Sequence, residues 1–248
     1  MNTQDQIRHP MMLMMVGCLL VALFNIDFVG TNIVFPALVG DFHLELVDAQ
    51  WINNVFAAAV AISFLVGTRI CMVYGLRETA CFSMLVYAVF TLAVGQAVHF
   101  LPLLIYRGVM GFSCGVGYMA VLLVVLNVFP ENQKGSAMGM VYAAMGVGMF
   151  LGPMMGAWVL KYFSWRALFY ANVPIAFFIL FGFWLWMPKK NFQQGVALNL
   201  VSIVLSAVIT GFLFFSLNNL SLGLLTWGTL LMLLVCLLAG FVLVVRES

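Results

Sequence analysis

Apolar residues run along this chain in long blocks, and polar ones gather in short breaks between them. About 20 consecutive apolar residues let a helix cross the hydrocarbon core of a bilayer. By that measure the blocks predict membrane helices over 11–38, 51–73, 79–98, 101–128, 136–160, 165–187, 196–217 and 224–245. The expectation is therefore about eight spans joined by short connections, with no room for a soluble domain. The first block follows a short polar head carrying Arg8, which imitates the start of a signal peptide. It is too long for one, has no small-residue cleavage site and contains Asp27, so it reads as an uncleaved first membrane helix.

Composition agrees with the pattern. The 248 residues are 65% hydrophobic and 7% charged, where a soluble domain carries about a quarter charged residues. The fold class expected is an all-α polytopic membrane protein. A net charge of +2 gives no reason to expect a nucleic-acid partner, and membrane lipids are the partner that the composition implies. The five cysteines (Cys18, Cys71, Cys81, Cys114, Cys236) lie in or beside apolar runs and form no metal spacing or disulfide framework. Arg8, Arg69, Arg77, Lys134, Lys189, Lys190 and Arg246 fall on one side of the predicted spans. Lys161, Arg166 and the acidic loop of Asp41, Glu45 and Asp48 fall on the other. The richer side is the cytoplasmic one by the positive-inside rule, which puts both termini inside a cytoplasmic, or inner, membrane.

Two ionisable residues break the apolar blocks. Asp27 lies near the middle of the first, where a carboxylate costs roughly 2.5–3.5 kcal/mol on insertion scales unless it faces protein or water. The competing reading is an Asp that caps a broken helix or snorkels to an interface. Thr31 shares the face of Asp27, and Asn32 lies to the side. Arg107 lies in the fourth block at the head of a stripe with Gly111 and Gly115. At 1.5 Å per residue, Arg107 is roughly 9 Å inside its helix end and Asp27 roughly 17 Å inside its own. An arginine side chain spans that difference, so Arg107 is expected to face Asp27. The alternative is an Arg that snorkels outward.

The remaining polar and small residues suggest how the helices pack. Asn53 and Asn54, after an interfacial Trp51, are candidates for bridging helices or lining a cavity. In the fifth block Gly135, Gly139 and Ala143 form one small-residue stripe. Gly148, Gly152 and Gly156, with Pro153 among them, form another. Spacing of four is the pattern of close helix crossing, and a proline there is expected to bend the helix into a gate or pivot. Packing alone is the plainer use. Gly75 and Arg77 suit a tight cytoplasmic turn. Many methionines, Met145, Met149, Met154 and Met155 among them, suit either an adaptable pocket or ordinary core filling.

In order and spacing these residues resemble the drug:proton antiporters of the major facilitator superfamily, in the branch with fourteen helices. That branch carries D-x-T-I-V-N-V-A-L-P in helix one, matched here by Asp27, Asn32 and Pro36. Its R-x-x-Q-G-x-G is matched by Arg107 and Gly111, with Met110 and Ser113 departing. Its G-x-x-x-G-P-x-x-G reads in full as Gly148, Gly152, Pro153 and Gly156. Its W-R-x-x-F-x-x-N-V-P reads as Trp165, Arg166, Phe169, Asn172, Val173 and Pro174. The cytoplasmic motif G-x-L-a-D-R-x-G-R keeps Gly75 and Arg77, but Thr68 and Met72 replace its first Gly and its Asp.

The resemblance implies a six-helix transporter bundle over 1–190 and two linking helices over 191–248, with the chain stopping before a second bundle. It implies proton-coupled efflux of drug-like or amphipathic compounds, with Asp27 exchanging the proton beside Arg107. The alternative is a non-transporting truncated product, or a half-transporter that needs a partner chain or a homodimer mate. No cofactor, metal or enzyme constellation is expected: His9, His43 and His99 are scattered, and no nucleotide motif is present.

Overall fold

The computed structural model describes residues 10–187 and the single positions Ile209 and Ser216. The spans expected over 196–217 and 224–245, and with them the linking unit over 191–248, lie outside the described residues. Within 10–187 the chain forms α1 (Pro10–Phe42), α2 (Leu46–Tyr74), α3 (Leu76–Gly95), α4 (Phe100–Val128), α5 (Glu131–Tyr162) and α6 (Arg166–Trp186). Five of these are long and apolar enough to cross a membrane, and α2 joins them as a bent pair of helical pieces. The protein is thus an all-α polytopic membrane protein. A helix satisfies its own backbone hydrogen bonds, which a lipid environment demands of every spanning segment.

The helices neighbour one another in the order α2, α4, α3, α6, α1, α5. Chain order and spatial order differ, so α1 and α4 come close to each other near the middle of the bundle. Their inner faces supply much of the core, including Leu20, Val21, Leu23, Phe24, Met110, Ala120 and Val121. In contrast, α5 buries little beyond Ala137, Val141, Gly148, Gly152, Gly156 and Val159.

Two local features shape the frame. Gly75 alone separates α2 from α3, at φ 94° and ψ 150°. A side chain is strained at that positive φ, so glycine permits the reversal there. Its N–H donates to the Cys71 carbonyl at 3.0 Å, which closes the last turn of α2.

The second feature is a bend. Residues 47–64 and 66–74 of α2 meet at 54°. The Ser63 hydroxyl donates to the Val60 carbonyl at 2.7 Å just before the bend, and Gly67 follows it. Serine back-bonding and a nearby glycine are recognised causes of helix bending. Pro153 lies inside α5, which runs as one helix from Glu131 to Tyr162, and Gly152 and Gly156 on either side of it lie against the α1 backbone.

At the end of the bundle where α1 stops, a polar clamp ties three elements. The Trp165 indole N–H donates to Asp41 Oδ2 at 2.8 Å, and Arg166 donates to the same oxygen at 3.0 Å. Arg166 also donates to the Ala97 carbonyl at 3.1 Å, and the Tyr170 hydroxyl to the Gly95 carbonyl at 2.9 Å. The W-R pair thus fixes the start of α6 to α1 and to the α3–α4 turn.

Candidate functional site

The two membrane charges meet. Arg107 Nη1 lies 2.6 Å from Asp27 Oδ2, and both side chains are 0% exposed. Placing such a pair in an apolar bundle requires that their other polar atoms be satisfied too. Arg107 Nη2 donates to Asn53 Oδ1 on α2 at 2.7 Å. Asn53 Nδ2 donates in turn to the Phe28 carbonyl at 3.0 Å and to Asn32 Oδ1 at 2.8 Å. From α6, Asn172 Nδ2 donates to Asp27 Oδ1 at 3.2 Å. One cluster therefore joins α1, α2, α4 and α6.

Aromatic faces hold the guanidinium from the sides. Arg107 Cζ is 4.4 Å from the centroid of the Phe56 ring and 5.7 Å from that of Phe169. A cation over a ring face is attracted by the ring quadrupole, more so where water is excluded. On one side the cluster is open: Asn32 is exposed although it lies deep in α1. The buried charges are thus connected through Asn53 to a polar group on the surface of the bundle.

The glycine motifs set the distances that make this cluster. At Gly111 a Cβ would strike the Phe56 carbonyl, and at Gly115 it would strike the Ser63 hydroxyl, so α4 can approach α2 only because both are glycine. At Gly148 it would come within 2.5 Å of the Ala22 carbonyl, and at Gly156 within 2.9 Å of the Gly30 carbonyl. Gly152 faces Gly30 directly, with 3.1 Å from such a Cβ to the Gly30 nitrogen. Small residues at a helix crossing allow this backbone approach.

Some expected residues lie elsewhere. Thr31 donates to the carbonyl of Asp27 in its own helix at 2.6 Å, so it neither bridges helices nor lines an open space. A threonine hydroxyl reaches the carbonyl one turn back more readily than a neighbouring helix. Asn54 is half-buried on the next face of α2. Gly135, Gly139 and Ala143 are exposed, and nothing lies within 4 Å of a Cβ built on either glycine. That stripe makes no helix crossing among the described residues, because the other face of α5 is the one against α1. Gly75 and Arg77 sit far along the chain from the cluster, at the α2–α3 turn, where Arg77 Cζ lies 5.4 Å from the Trp184 ring centroid.

Three members of the site were not singled out from sequence: Asn172 as a partner of Asp27, Phe56 under Arg107, and Gly30 opposite Gly152. Asn172 left a trace, being the lone amide in the apolar run of α6. Among the described residues no His, Cys, Asp or Glu group could hold a metal ion. A groove of about 610 Å³ opens between α2, α3 and α4, lined by Tyr74, Glu78, Phe82 and Phe112 among others. None of the cluster residues lines it.

Residues 17–247 match the sequence profile of the Major Facilitator Superfamily. The chain belongs to the Major Facilitator Superfamily. Among relatives in this superfamily, the riboflavin transporter RibZ of Clostridioides difficile (strain 630) is 22% identical over 213 residues, covering 86% of this chain and 47% of RibZ. The tetracenomycin C resistance and export protein of Streptomyces glaucescens is 28% identical over 160 residues, covering 64% of this chain and 29% of that protein. A crystal structure of the peptide transporter POT in complex with sulfate aligns with TM-score 0.64 at 15% identity, over 88% of this chain and 48% of that one. This shared helical arrangement is the superfamily fold. The chain spans less than half the length of each of these three proteins. The curated relatives are named as transport and export proteins, not enzymes.

Proposed function

We propose that this chain works in secondary transport as a proton-coupled exporter of drug-like or amphipathic compounds, with Asp27 the proton-exchanging carboxylate. The observation that carries the reading is the fully buried Asp27–Arg107 pair, linked through Asn53 to an exposed Asn32 deep in α1. An amide exposed at that depth is unfavourable against lipid tails and suits a water-filled path. A proton on Asp27 removes its charge and frees Arg107, which changes what holds α4 to α1. Membership of the superfamily and the resistance-named relative support export, and the Lys/Arg distribution supports a cytoplasmic membrane with both termini inside. On this reading residues 1–190 are the six-helix bundle and 191–248 the linking pair.

The test is transport in proteoliposomes holding the purified chain, with a lipophilic cationic dye as probe. An imposed pH gradient is expected to drive dye movement in the natural sequence and to lose that power in Asp27→Asn. Full proton-driven movement in Asp27→Asn would remove the acid from the mechanism.

A second reading has its own support. The chain spans less than half the length of RibZ and of the tetracenomycin C export protein, and one face of α5, at Gly135, Gly139 and Gly146, has open space within 4 Å of a built Cβ. A half-transporter that joins a partner chain or a second copy would use such a face. The mass of the particle in detergent, measured beside the transport assay, separates a dimer from a single chain.

A further inference from the structure

Asn172 holds a donor and an acceptor on one branch, and only the donor is in use. Its Nδ2 donates to Asp27 Oδ1 at 3.2 Å, while its own Oδ1 is buried with no hydrogen-bond partner among the described residues. That orientation suits a carboxylate, which accepts only. A carboxylic acid at the same place has an O–H to give away, and leaving it without an acceptor in a dry interior is costly.

The neighbours of Asp27 leave few acceptors. Arg107 only donates. Asn53 Oδ1 already accepts from Arg107, and its amide nitrogen is committed to Phe28 and Asn32. The Thr31 hydroxyl donates within α1. The α5 seam presents glycine. The titratable and charged groups close enough to Asp27 to feel its charge include Arg107 and Cys114 from α4 and Tyr87 from α3. The Tyr87 hydroxyl is buried and makes no hydrogen bond there either. Of these two buried oxygens without a partner, Asn172 Oδ1 and the Tyr87 oxygen, the first belongs to a side chain already hydrogen-bonded to Asp27.

We propose that Asn172 is a positioning residue that holds the Asp27 side chain in both protonation states by turning its amide. With the carboxylate, Nδ2 donates to Oδ1 of Asp27. When a proton from solvent water forms an O–H bond at that oxygen, a half-turn about the Cβ–Cγ bond brings Oδ1 of Asn172 round to accept it. This terminal torsion is broad and two-fold, so no backbone movement is needed. The positive charge of Arg107 then remains on Asn53 and the two aromatic faces. The proposal rests on the reading of Asp27 as the proton-exchanging group.

Infrared difference spectra between high and low pH, on the full chain in lipid vesicles, test both separately. A carboxylic-acid band that appears on acidification and is missing in Asp27→Asn is expected. Its absence from the natural sequence would sink the proton-exchange reading itself. If the band is present, Asn172→Leu is expected to move it to the higher frequency of an acid without a hydrogen bond, and Tyr87→Phe to leave it in place. A band that stays put in Asn172→Leu, or moves only in Tyr87→Phe, overturns the role of Asn172. Should Asn172→Leu fail to fold, ¹³C-asparagine labelling of the natural sequence decides the question. A label-sensitive amide carbonyl change on acidification, absent in Asp27→Asn, supports the turn, and no such change overturns it.

Discussion

Asn53 on α2 accepts a hydrogen bond from Arg107 on α4 at 2.7 Å while its own amide nitrogen donates to two oxygens of α1. Each hydrogen-bonding site of that side chain which the cluster needs is in use. Asn53 therefore completes the ion pair as well as touching it, since the carboxylate of Asp27 takes up only one of the terminal guanidinium nitrogens. Both terminal nitrogens of Arg107 are thereby satisfied, while its buried Nε has no partner among the described residues. A buried pair stripped of a further partner is held less firmly.

The consequence for Asp27 and Arg107 is a strong coupling in stability. Arg107→Gln leaves a buried carboxylate without its counter-charge and is expected to cost about 3–5 kcal/mol. Asp27→Asn leaves the reverse problem. The double variant Asp27→Asn with Arg107→Gln removes both charges and is expected to recover much of the loss. Thermal unfolding of the four proteins in one detergent gives the coupling directly. Losses that simply add would show that the two side chains do not share a site.

Three glycine substitutions separate the two faces of α5 and the crossing of α4. Gly111→Val is expected to destabilise by about 1–3 kcal/mol or more, because the side chain enters the Phe56 backbone. Gly148→Val meets the Ala22 carbonyl and is expected to behave alike. Gly139→Val, with open space around it, is expected to leave the melting temperature of the isolated chain unchanged or slightly raised. Equal losses at Gly139 and Gly148 would contradict the packing.

How much of this could be read beforehand follows from what a residue costs. An acid or a guanidinium in an apolar run is expensive wherever it sits, so Asp27 and Arg107 announce themselves, and helix rise leaves a difference in depth that an arginine side chain spans. Asn172 and Phe56 gain their meaning only when α6 and α2 are folded against α1 and α4. Spacing of four places Gly135, Gly139 and Ala143 on one stripe and Gly148, Gly152 and Gly156 on another, and no spacing says which stripe meets α1. The bend of α2 beside Ser63 and Gly67 carries no proline to announce it.

The clamp at Asp41 offers a contrast between an exposed and a buried partner. The Arg166 pair is partly exposed, with side chains 32% and 47% accessible, and such pairs contribute about 0–1 kcal/mol. Trp165 is buried at 2%, and its indole N–H donates to Asp41 alone among the contacts described. Asp41→Ala orphans that donor and is expected to cost about 1–3 kcal/mol. Asp41→Asn keeps an acceptor oxygen and is expected to cost clearly less. Matching losses for the two variants, measured by thermal unfolding, would put the weight on the charge and not on the indole bond.

Arg107→Lys keeps the charge and tests the geometry. Arginine reaches Asp27 with Nη1 and Asn53 with Nη2 while its plane rests over Phe56 at 4.4 Å. An ammonium is a compact point charge with no planar fork, so it cannot serve both acceptors from the same position and also stack. Lysine is expected to keep the contact with Asp27 and release Asn53, whose buried oxygen then costs about 1–3 kcal/mol. Asn53→Ala in the Arg107→Lys background should then cost less than Asn53→Ala alone, because the arginine bond to Asn53 is already gone. Unfolding measurements on the two single variants and their combination decide it, and equal costs of Asn53→Ala in both backgrounds would mean that the guanidinium fork does not bind Asn53.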